Sequence, residues 1–297
     1  MSRTTASRVV ARGCRPVVRA PGQPVGRRAA PVVELVFPAL DTAWAMEVMR
    51  GVVDSGLDVV MSAAARRGPT WAQDLVGARR AGVVLVACPI GDAERRVLAR
   101  AGVPLVQVDP VDQALLSVGA TNRAGGATAA EHLLSLGHRR VGVVGGPRDM
   151  LCSRARLDGF RAALAEAGIG FDPALVRHAD FTREGGRRQA ADLLRLPDRP
   201  TAVFAGNDEQ ALGVIEAARA AGLSVPGDLS VVGFDDLPAA WRSSPALSTV
   251  RQPLAAMGTR AGWMLADLIE GRPPASDRVE LATRLVVRAS TARPPAR

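Results

Sequence analysis

Residues 200–222 read PTAVFAGNDEQALGVIEAARAAG and decide the fold. The apolar run Thr201–Ala205 predicts a buried strand, small and polar residues follow it, and Glu209–Ala221 has the apolar spacing of a helix. Gly222 comes just past that helix, where a residue in the left-handed conformation closes the last turn. A strand, a polar turn and a helix in this order are typical of a parallel strand with its crossover helix.

The same order repeats along the chain from Pro31. The predicted strands lie near Val32–Phe37, Leu57–Ser62, Val83–Ala87, Pro104–Val108, Val141–Val144, Thr201–Ala205 and Leu229–Gly233. The predicted helices are Trp44–Asp54, Trp71–Arg80, Ala93–Ala101, Gly125–Leu136, Arg156–Ala167, Glu184–Leu194, Glu209–Ala221 and Leu254–Ile269. Besides Gly222, helix-closing glycines are Gly102, Gly137, Gly168 and Gly271. The pattern predicts an α/β protein with doubly wound parallel sheets.

Composition places the chain among folded globular proteins. It has 297 residues, 47% of them hydrophobic and 23% charged, which favours two domains and excludes a disordered chain. The formal net charge is +9, but residues 1–31 hold seven Arg and no acid. The remainder has 31 Arg against 29 Asp and Glu, so contact with nucleic acid is expected from the basic segment. The candidate contacts there are Arg8, Arg12, Arg15 and Arg19.

Neither export nor membrane insertion is favoured. No apolar run reaches the length of a membrane span, so no membrane partner is expected. Arg27-Arg28 before the apolar stretch Ala29–Leu40 resembles an export signal, but the same stretch fits the first buried strand, which cleavage would remove. The three cysteines are widely spaced without a CxxC motif, so a cytoplasmic location is expected, without disulfides or zinc.

Catalysis has little support in the sequence. His132, His138 and His178 are the only histidines, and neither GxSxG nor HExxH occurs. Gly145-Gly146-Pro147 is not followed by the Lys of a phosphate-binding loop and is interpreted as a turn. We therefore predict no enzymatic activity, no cofactor and no metal.

Polar residues follow several predicted strands, and ligands of open α/β sheets bind at that edge. Asn207-Asp208 and Asp235-Asp236 are the main examples. Because adjacent residues of an extended segment point to opposite sides, the last pair cannot flank one bond; one carboxylate should face a cleft while the other supports the loop. A helix cap or Asx turn is the alternative for these Asp residues. Carboxylates, amides and Arg bind sugar hydroxyls, and an aromatic ring covers the apolar side of the sugar.

Six further motifs carry a resemblance to a known family. They are Gly119–Gly126 (GATNRAGG), Glu131–Val141 (EHLLSLGHRRV), Arg154–Phe160 (RARLDGF), Pro200–Asp208 (PTAVFAGND), Pro226–Asp236 (PGDLSVVGFDD) and Leu247–Pro253 (LSTVRQP). Together they resemble the LacI/GalR family of bacterial transcriptional regulators, over about Pro31 to Thr291.

The resemblance implies a sensor of the periplasmic-binding-protein type I fold, with a small effector, usually a sugar or nucleoside, between two lobes. The expected lobes are residues 31–138 plus 253–271 and residues 139–252 plus 272–291, and a homodimer is expected. By residue match, Arg156, Asn207 and Asp235 resemble the effector-binding Arg, Asn and Asp of the family, and Phe181 its aromatic position. The remaining expected effector contacts are Trp44, Thr121 and Asn122, although Thr121 stands where the family often has Asp.

The N-terminus departs from the family pattern, which begins with a helix-turn-helix headpiece and a hinge helix. Residues 1–30 resemble only the end of a headpiece, and Pro21 and Pro24 fall where the hinge helix would run. We expect this segment to be a disordered basic remnant and operator recognition to depend on a headpiece. The leading hypothesis is a regulator, most simply a repressor; a solute-binding protein of a transport system and a sugar-modifying enzyme are the alternatives.

Overall fold

The computed structural model describes residues 31–111 and 115–295, and the basic segment 1–30 with its candidate DNA contacts lies outside them. The strands of the described residues are β1 (Val32–Phe37), β2 (Asp58–Ala63), β3 (Gly82–Val86), β4 (Leu105–Val108), β5 (Ser117–Ala120), β6 (Val141–Gly145), β7 (Val176–His178), β8 (Ala202–Ala205), β9 (Ser230–Asp235), β10 (Ser248–Arg251), β11 (Arg278–Leu281) and β12 (Arg284–Val286). The helices are α1 (Ala43–Asp54), α2 (Trp71–Gly77), α3 (Asp92–Arg100), α4 (Asn122–Ser135), α5 (Leu151–Glu166), α6 (Arg183–Leu194), α7 (Asp208–Ala220), α8 (Pro238–Arg242) and α9 (Leu254–Ile269).

The strands form two six-stranded sheets, one in each lobe. Their orders are β11-β5-β4-β3-β1-β2 and β12-β10-β9-β8-β6-β7. Among the described residues, neighbouring strands pair in parallel, except that β12 pairs antiparallel with β10. The predicted α/β class with two doubly wound lobes is confirmed. The elements that the sequence pattern missed are β5, β7, β10, β11, β12 and α8, which have only three to five residues each.

Alternating apolar residues cover both faces of the first sheet. Val33, Leu35 and Phe37 of β1 lie in the core cluster beneath α1 and α9. Val36 lies in the opposite cluster with Trp71 of α2. Because successive side chains of a strand point to opposite faces, one continuous apolar run serves both helical layers.

The second sheet is covered in the same way. Val203 of β8 packs on the side of α6 and α7, whereas Phe204 packs on the side of α4 and α5. There the Phe204 ring stacks on Phe160 of α5, with ring centroids 5.3 Å apart. The five glycines predicted to close helices all have positive φ, between +67° and +101°. The helix-closing glycines and the buried apolar periodicity therefore agree with the observed helices and strands.

Within residues 31–111 and 115–295, the chain crosses between the lobes three times, and the crossings correct the predicted boundaries. Helix α4 packs with the second lobe, because Ala129, Ala130 and Leu133 lie in the cluster that contains Phe204. The first crossing is thus at residue 121 rather than 138. Likewise β11, expected in the second lobe as part of residues 272–291, pairs with β5 of the first. The other crossings join β10 to α9 and β11 to β12.

Among the described residues, no helix combines the length and the apolar character needed to cross a bilayer.

Candidate functional site

A cavity of about 430 Å³ lies between the lobes, at the carboxyl ends of strands from both sheets. We call it the cleft. Side chains from the first lobe, from α5 and from the loops after β8 and β9 form its wall: Pro38, Ala39, Asp41, Thr42, Ala43, Trp44, Ala87, Asp109, Met150, Cys152, Arg156, Phe181, Asn207, Glu209, Asp235 and Leu237. This is the edge at which the sequence predicted ligand binding.

Five of the seven predicted effector contacts line the cleft. Trp44 lies in the first turn of α1, and Arg156 lies on α5. Phe181 lies two residues before α6, Asn207 caps α7, and Asp235 ends β9. Residues far apart in sequence are brought together because each follows a strand or begins a helix at the same edge of its sheet.

Arg156 is the central cation of the cleft and is almost fully buried. Its Nε donates to Asn122 Oδ1 at 2.8 Å and its Nη1 donates to the carbonyl oxygen of Gly206 at 2.5 Å. The guanidinium carbon lies 3.8 Å from the centroid of the Phe234 ring and 5.8 Å from that of Phe181. Fixed on two acceptors and packed against rings, this guanidinium is pre-oriented to bind a polar ligand.

Asp235 faces the cleft beside Arg156. Its Oδ1 lies 3.9 Å from Arg156 Nη1 and accepts a 2.6 Å hydrogen bond from Gln252 Nε2. Burial raises the pKa of Asp235 to about 6, with Arg156 and the Gln252 hydrogen bond opposing the rise and the carboxylates of Asp109 and Glu209 adding to it. Asp235 has φ +111°, a strained conformation that turns its carboxylate out of the strand direction.

Asn207 and Phe181 are fixed to each other. Asn207 Oδ1 accepts from the backbone nitrogen of Gln210 at 2.8 Å, so it caps α7, and its Nδ2 donates to the carbonyl oxygen of Phe181 at 3.0 Å. The Phe181 ring lies so close to Gly146 that a Cβ there would approach it to 2.2 Å. Gly146, predicted as part of a turn, therefore leaves room for the aromatic wall.

Thr121 and Asn122 are not brought to the cleft. Thr121 lies at the first crossing between the lobes, where its Oγ1 accepts from the backbone nitrogen of Thr283 at 2.9 Å. Asn122 is turned towards Arg156 and acts on the cleft through that side chain. Both line a separate cavity of about 590 Å³ on the other side of Asp109 and Cys152. Direct contact of Thr121 and Asn122 with a ligand in the cleft is not supported by this placement.

The two other Asp residues of the strand-end motifs are structural. Asp236 points away from the cleft and pairs with Arg288 and Arg251 at 2.5 Å each. Asp208 is fully buried and accepts from Leu237 N at 2.7 Å and from Thr249 Oγ1 at 2.5 Å. Burial raises the pKa of Asp208 well above the usual value. The predicted division of labour between the carboxylates of Asp235 and Asp236 therefore holds.

Sequence reasoning missed several residues of the cleft wall. Asp109 directly follows β4, so the strand-end rule could have found it; burial raises its pKa, Arg156 and a hydrogen bond from Cys152 opposing the rise. Met150 and Cys152 were missed because α5 begins at Leu151, five residues before the predicted start. Asp41 lies in the segment Ala39–Asp41 that follows β1, one of the strand-end segments in which the sequence predicts a site, although no ligand contact was assigned to it.

His132 and His138 make hydrogen bonds to the C-terminal segment of the second lobe. His138 is buried and bonds to Thr201 Oγ1 at 2.8 Å and to the carbonyl oxygen of Ala292 at 2.9 Å, while His132 bonds to Thr291. These contacts tie the end of the chain to the second lobe. Within residues 31–111 and 115–295, no cluster of His, Cys, Asp and Glu has the composition of a metal site.

Two parallel-sheet lobes around a polar cleft with aromatic walls define a ligand-binding domain of the periplasmic-binding-protein type. Accordingly, residues 130–291 match the family model described as a periplasmic binding protein-like domain. The chain is 35% identical to the HTH-type transcriptional regulator reg1 of Streptomyces lividans, over 91% of this chain and 83% of the relative. It is 37% identical to the regulator CelR of Thermobifida fusca, over 73% of this chain and 65% of CelR.

Solved structures agree with these relatives. A transcriptional regulator CelR–cellobiose complex superposes with a TM-score of 0.78 at 32% identity, covering 88% of this chain and 84% of that chain. The lac repressor dimer bound to operator and an anti-inducer superposes with a TM-score of 0.79 at 26% identity, covering 90% and 96%. The chain belongs to the LacI/GalR family of transcriptional regulators.

Proposed function

We propose that this chain is the sensor of a transcriptional repressor and that it binds a sugar or nucleoside in the cleft. The convergence of Trp44 from one lobe with Phe181, Arg156, Asn207 and Asp235 from the other carries the proposal. Two rings can cover the apolar sides of a sugar or a base, while the carboxylate, amide and guanidinium bind its hydroxyl groups. CelR, a relative with the same fold, forms a complex with cellobiose.

Because the ligand would contact both lobes, it would favour the closed arrangement over the open one. A ligand that binds only the closed state stabilises it by mass action. The three crossings at residue 121, Gln252 and Thr283 are the points about which the lobes could move. Gln252 donates to Asp235, so one crossing is directly connected to the cleft.

Binding is tested by thermal shift with pentoses, hexoses, disaccharides and nucleosides, followed by calorimetry on the compounds that raise Tm. We expect Asp235→Asn and Phe181→Ala to weaken binding at least tenfold, since each removes a group that faces the ligand. Asp54→Asn, an exposed carboxylate outside the cleft, is the matched control. Unchanged affinity in both cleft variants would refute the assignment of the site.

Regulation rather than transport is supported by the relatives, which are transcriptional regulators. We propose a homodimer that acts on an operator, as the lac repressor neighbour does. Met46 and Val53 support dimerisation, since they lie seven residues apart on one face of α1 and are 52% and 47% exposed. Multi-angle light scattering should give the mass of a dimer. Met46→Asp should lower the measured mass towards that of a monomer.

Action on DNA is tested with the protein isolated from its own cells. We expect a mobility shift of the promoter DNA upstream of its gene, and a change in affinity when a ligand from the thermal-shift panel is added. Periplasmic recovery of the protein with no shift of any upstream DNA would instead support the solute-binding alternative.

A further inference from the structure

Negative charge predominates in the wall of the cleft. Among the described residues, four carboxylates line the cleft, and they belong to Asp41, Asp109, Glu209 and Asp235. Arg156 is the one cationic side chain in this wall. Burial raises the pKa of both Asp109 and Asp235. Arg156 opposes the rise in both groups, whereas the carboxylates of Asp109 and Glu209 add to the rise at Asp235. An additional anion in this space would therefore meet an environment that already disfavours negative charge.

The cation of the cleft already lies beside a carboxylate of the chain. Arg156 donates to Asn122 and to Gly206, and it lies 3.9 Å from the carboxylate of Asp235. One face of its guanidinium is covered by Phe234. To pair with Arg156, a phosphate group would compete with the carboxylate of Asp235. Asp235 would then stay buried without a cation of its own.

The two outer carboxylates differ in their partners. Glu209 accepts from Arg183 Nε at 3.0 Å, so its charge is paired at the surface. Asp41 is exposed at the mouth of the cleft, three residues before Trp44, and makes no ion pair or side-chain hydrogen bond within the described residues. Asp41 thus leaves one uncompensated negative charge beside the aromatic wall.

Groups of the chain itself occupy the N-terminus of α7 at the cleft and a donor at the start of α5. Asn207 caps α7, whose first turn holds Asp208 and Glu209. The first turn of α5 contains Cys152, which is hydrogen-bonded to the carboxyl group of Asp109. At α7, donors of the kind that hold phosphates in other proteins are therefore matched by acidic groups of the chain.

We propose that the cleft selects against negative charge, so that the effector is an unphosphorylated polyhydroxyl compound, either neutral or carrying an amino group. This inference rests on the proposed function and adds the charge class of the ligand. Sugar phosphates, nucleotides and sugar acids are excluded by the same set of carboxylates. Hydroxyl groups can donate to Asp41, Asp109 and Asp235, whereas a phosphate dianion can only accept.

The test uses matched pairs in thermal shift and calorimetry on the full chain: glucose and glucose 6-phosphate, ribose and ribose 5-phosphate, trehalose and trehalose 6-phosphate, adenosine and its 5′-monophosphate, with cellobiose and glucosamine added. We expect at least one uncharged compound to raise Tm and its phosphate to bind at least tenfold more weakly at pH 7.5. Raising the salt concentration from about 0.05 M to about 0.5 M should narrow the difference, because exposed charges are screened.

Asp41→Asn tests the origin of the selectivity without touching Arg156. We expect Asp41→Asn to reduce the affinity ratio between the uncharged compound and its phosphate about tenfold. One unit charge roughly 6 Å from a phosphate dianion in a water-like dielectric has an effect of this size. Asp54→Asn, the same chemical change outside the cleft, should leave the preference unchanged.

The outcomes separate this inference from the proposed function. A phosphate that binds as tightly as its parent compound would overturn the charge selectivity and leave the sensor function intact. An unchanged preference in Asp41→Asn would overturn the assignment of selectivity to the mouth of the cleft. If neither uncharged nor charged members of the panel raise Tm, the proposed function fails and this inference fails with it.

Discussion

Replacing Arg156 with Ala tests the electrostatics of the cleft through the free energy of unfolding. The change removes the donors to Asn122 Oδ1 and to the carbonyl oxygen of Gly206, at about 1 kcal/mol for each lost hydrogen bond. It also leaves Asp235 buried without its cation. Removing one partner of a buried pair costs about 3–5 kcal/mol when the remaining charge stays ionised.

Protonation of Asp235 limits that cost and makes it depend on pH. The pKa of Asp235 is about 6 in the folded protein, above the value of an unfolded chain, so the stability it contributes is lost as the pH rises through 6. Without Arg156 we expect its pKa to rise to about 8–9, as for other buried carboxyl groups. The difference in the free energy of unfolding between wild type and variant then develops mainly between pH 6 and 8. It amounts to about 2 kcal/mol at pH 7.5 and almost nothing at pH 5.5.

Urea unfolding at the two pH values measures this directly. Together with the lost hydrogen bonds, we expect Arg156→Ala to lower the free energy of unfolding by about 4 kcal/mol at pH 7.5 and about 2 kcal/mol at pH 5.5. Arg148→Ala, an exposed arginine just before α5, should change it by less than about 0.5 kcal/mol. A loss that is the same at both pH values, or below about 1 kcal/mol at pH 7.5, would show that Arg156 does not hold Asp235 ionised.

Three further predictions concern contacts within the second lobe. In Gly159→Ala, the new Cβ would lie 1.8 Å from the carbonyl oxygen of Arg123 on α4; we expect the helices to separate and Tm to fall by at least about 5 °C, and a wild-type Tm would contradict the close approach. Burial lowers the pKa of His138 below the ordinary value of 6.5, so its share of stability is lost as the pH falls from that value; His138→Gln should remove that part of the pH dependence in urea titrations, and an unaltered profile would count against it. Thr249→Val removes the hydroxyl donor to the buried carboxyl group of Asp208 and should cost about 1–3 kcal/mol in urea unfolding, whereas a neutral result would mean that this contact does not stabilise the loop after β9.

The long, strongly patterned elements were predictable because their signals are local. Val32–Phe37 is a run of β-branched and apolar residues interrupted only by Glu34, and the structure has a strand with the same bounds. In contrast, the three residues of β12 have no periodicity to detect, and β12 exists because β10 offers an edge for pairing. Helix α4 was assigned to the wrong lobe, since a helix pattern does not show which sheet it covers.

The site was predictable where the end of a strand or the start of a helix determines the edge of the sheet at which a residue lies. Asn207 lies two residues past β8 and Asp235 is the last residue of β9, and the parallel sheet brings both to the same edge. Asp109 follows β4 in the same way, but it belongs to the other lobe, and only the folded chain shows that the two edges face each other. Thr121 follows β5 and satisfies the same rule, yet its hydroxyl is used by Thr283 at a crossing between the lobes.

The sequence by itself determined the α/β class, the ends of the main helices and the family, because periodicity, helix-closing glycines and short motifs are properties of neighbouring residues. The tertiary structure alone decided which side chains share the cleft, how Arg156 is held between Asn122, Gly206 and Asp235, and where the chain crosses between lobes. These depend on contacts between residues tens to more than a hundred positions apart, and such contacts exist only once both sheets have formed and packed against each other.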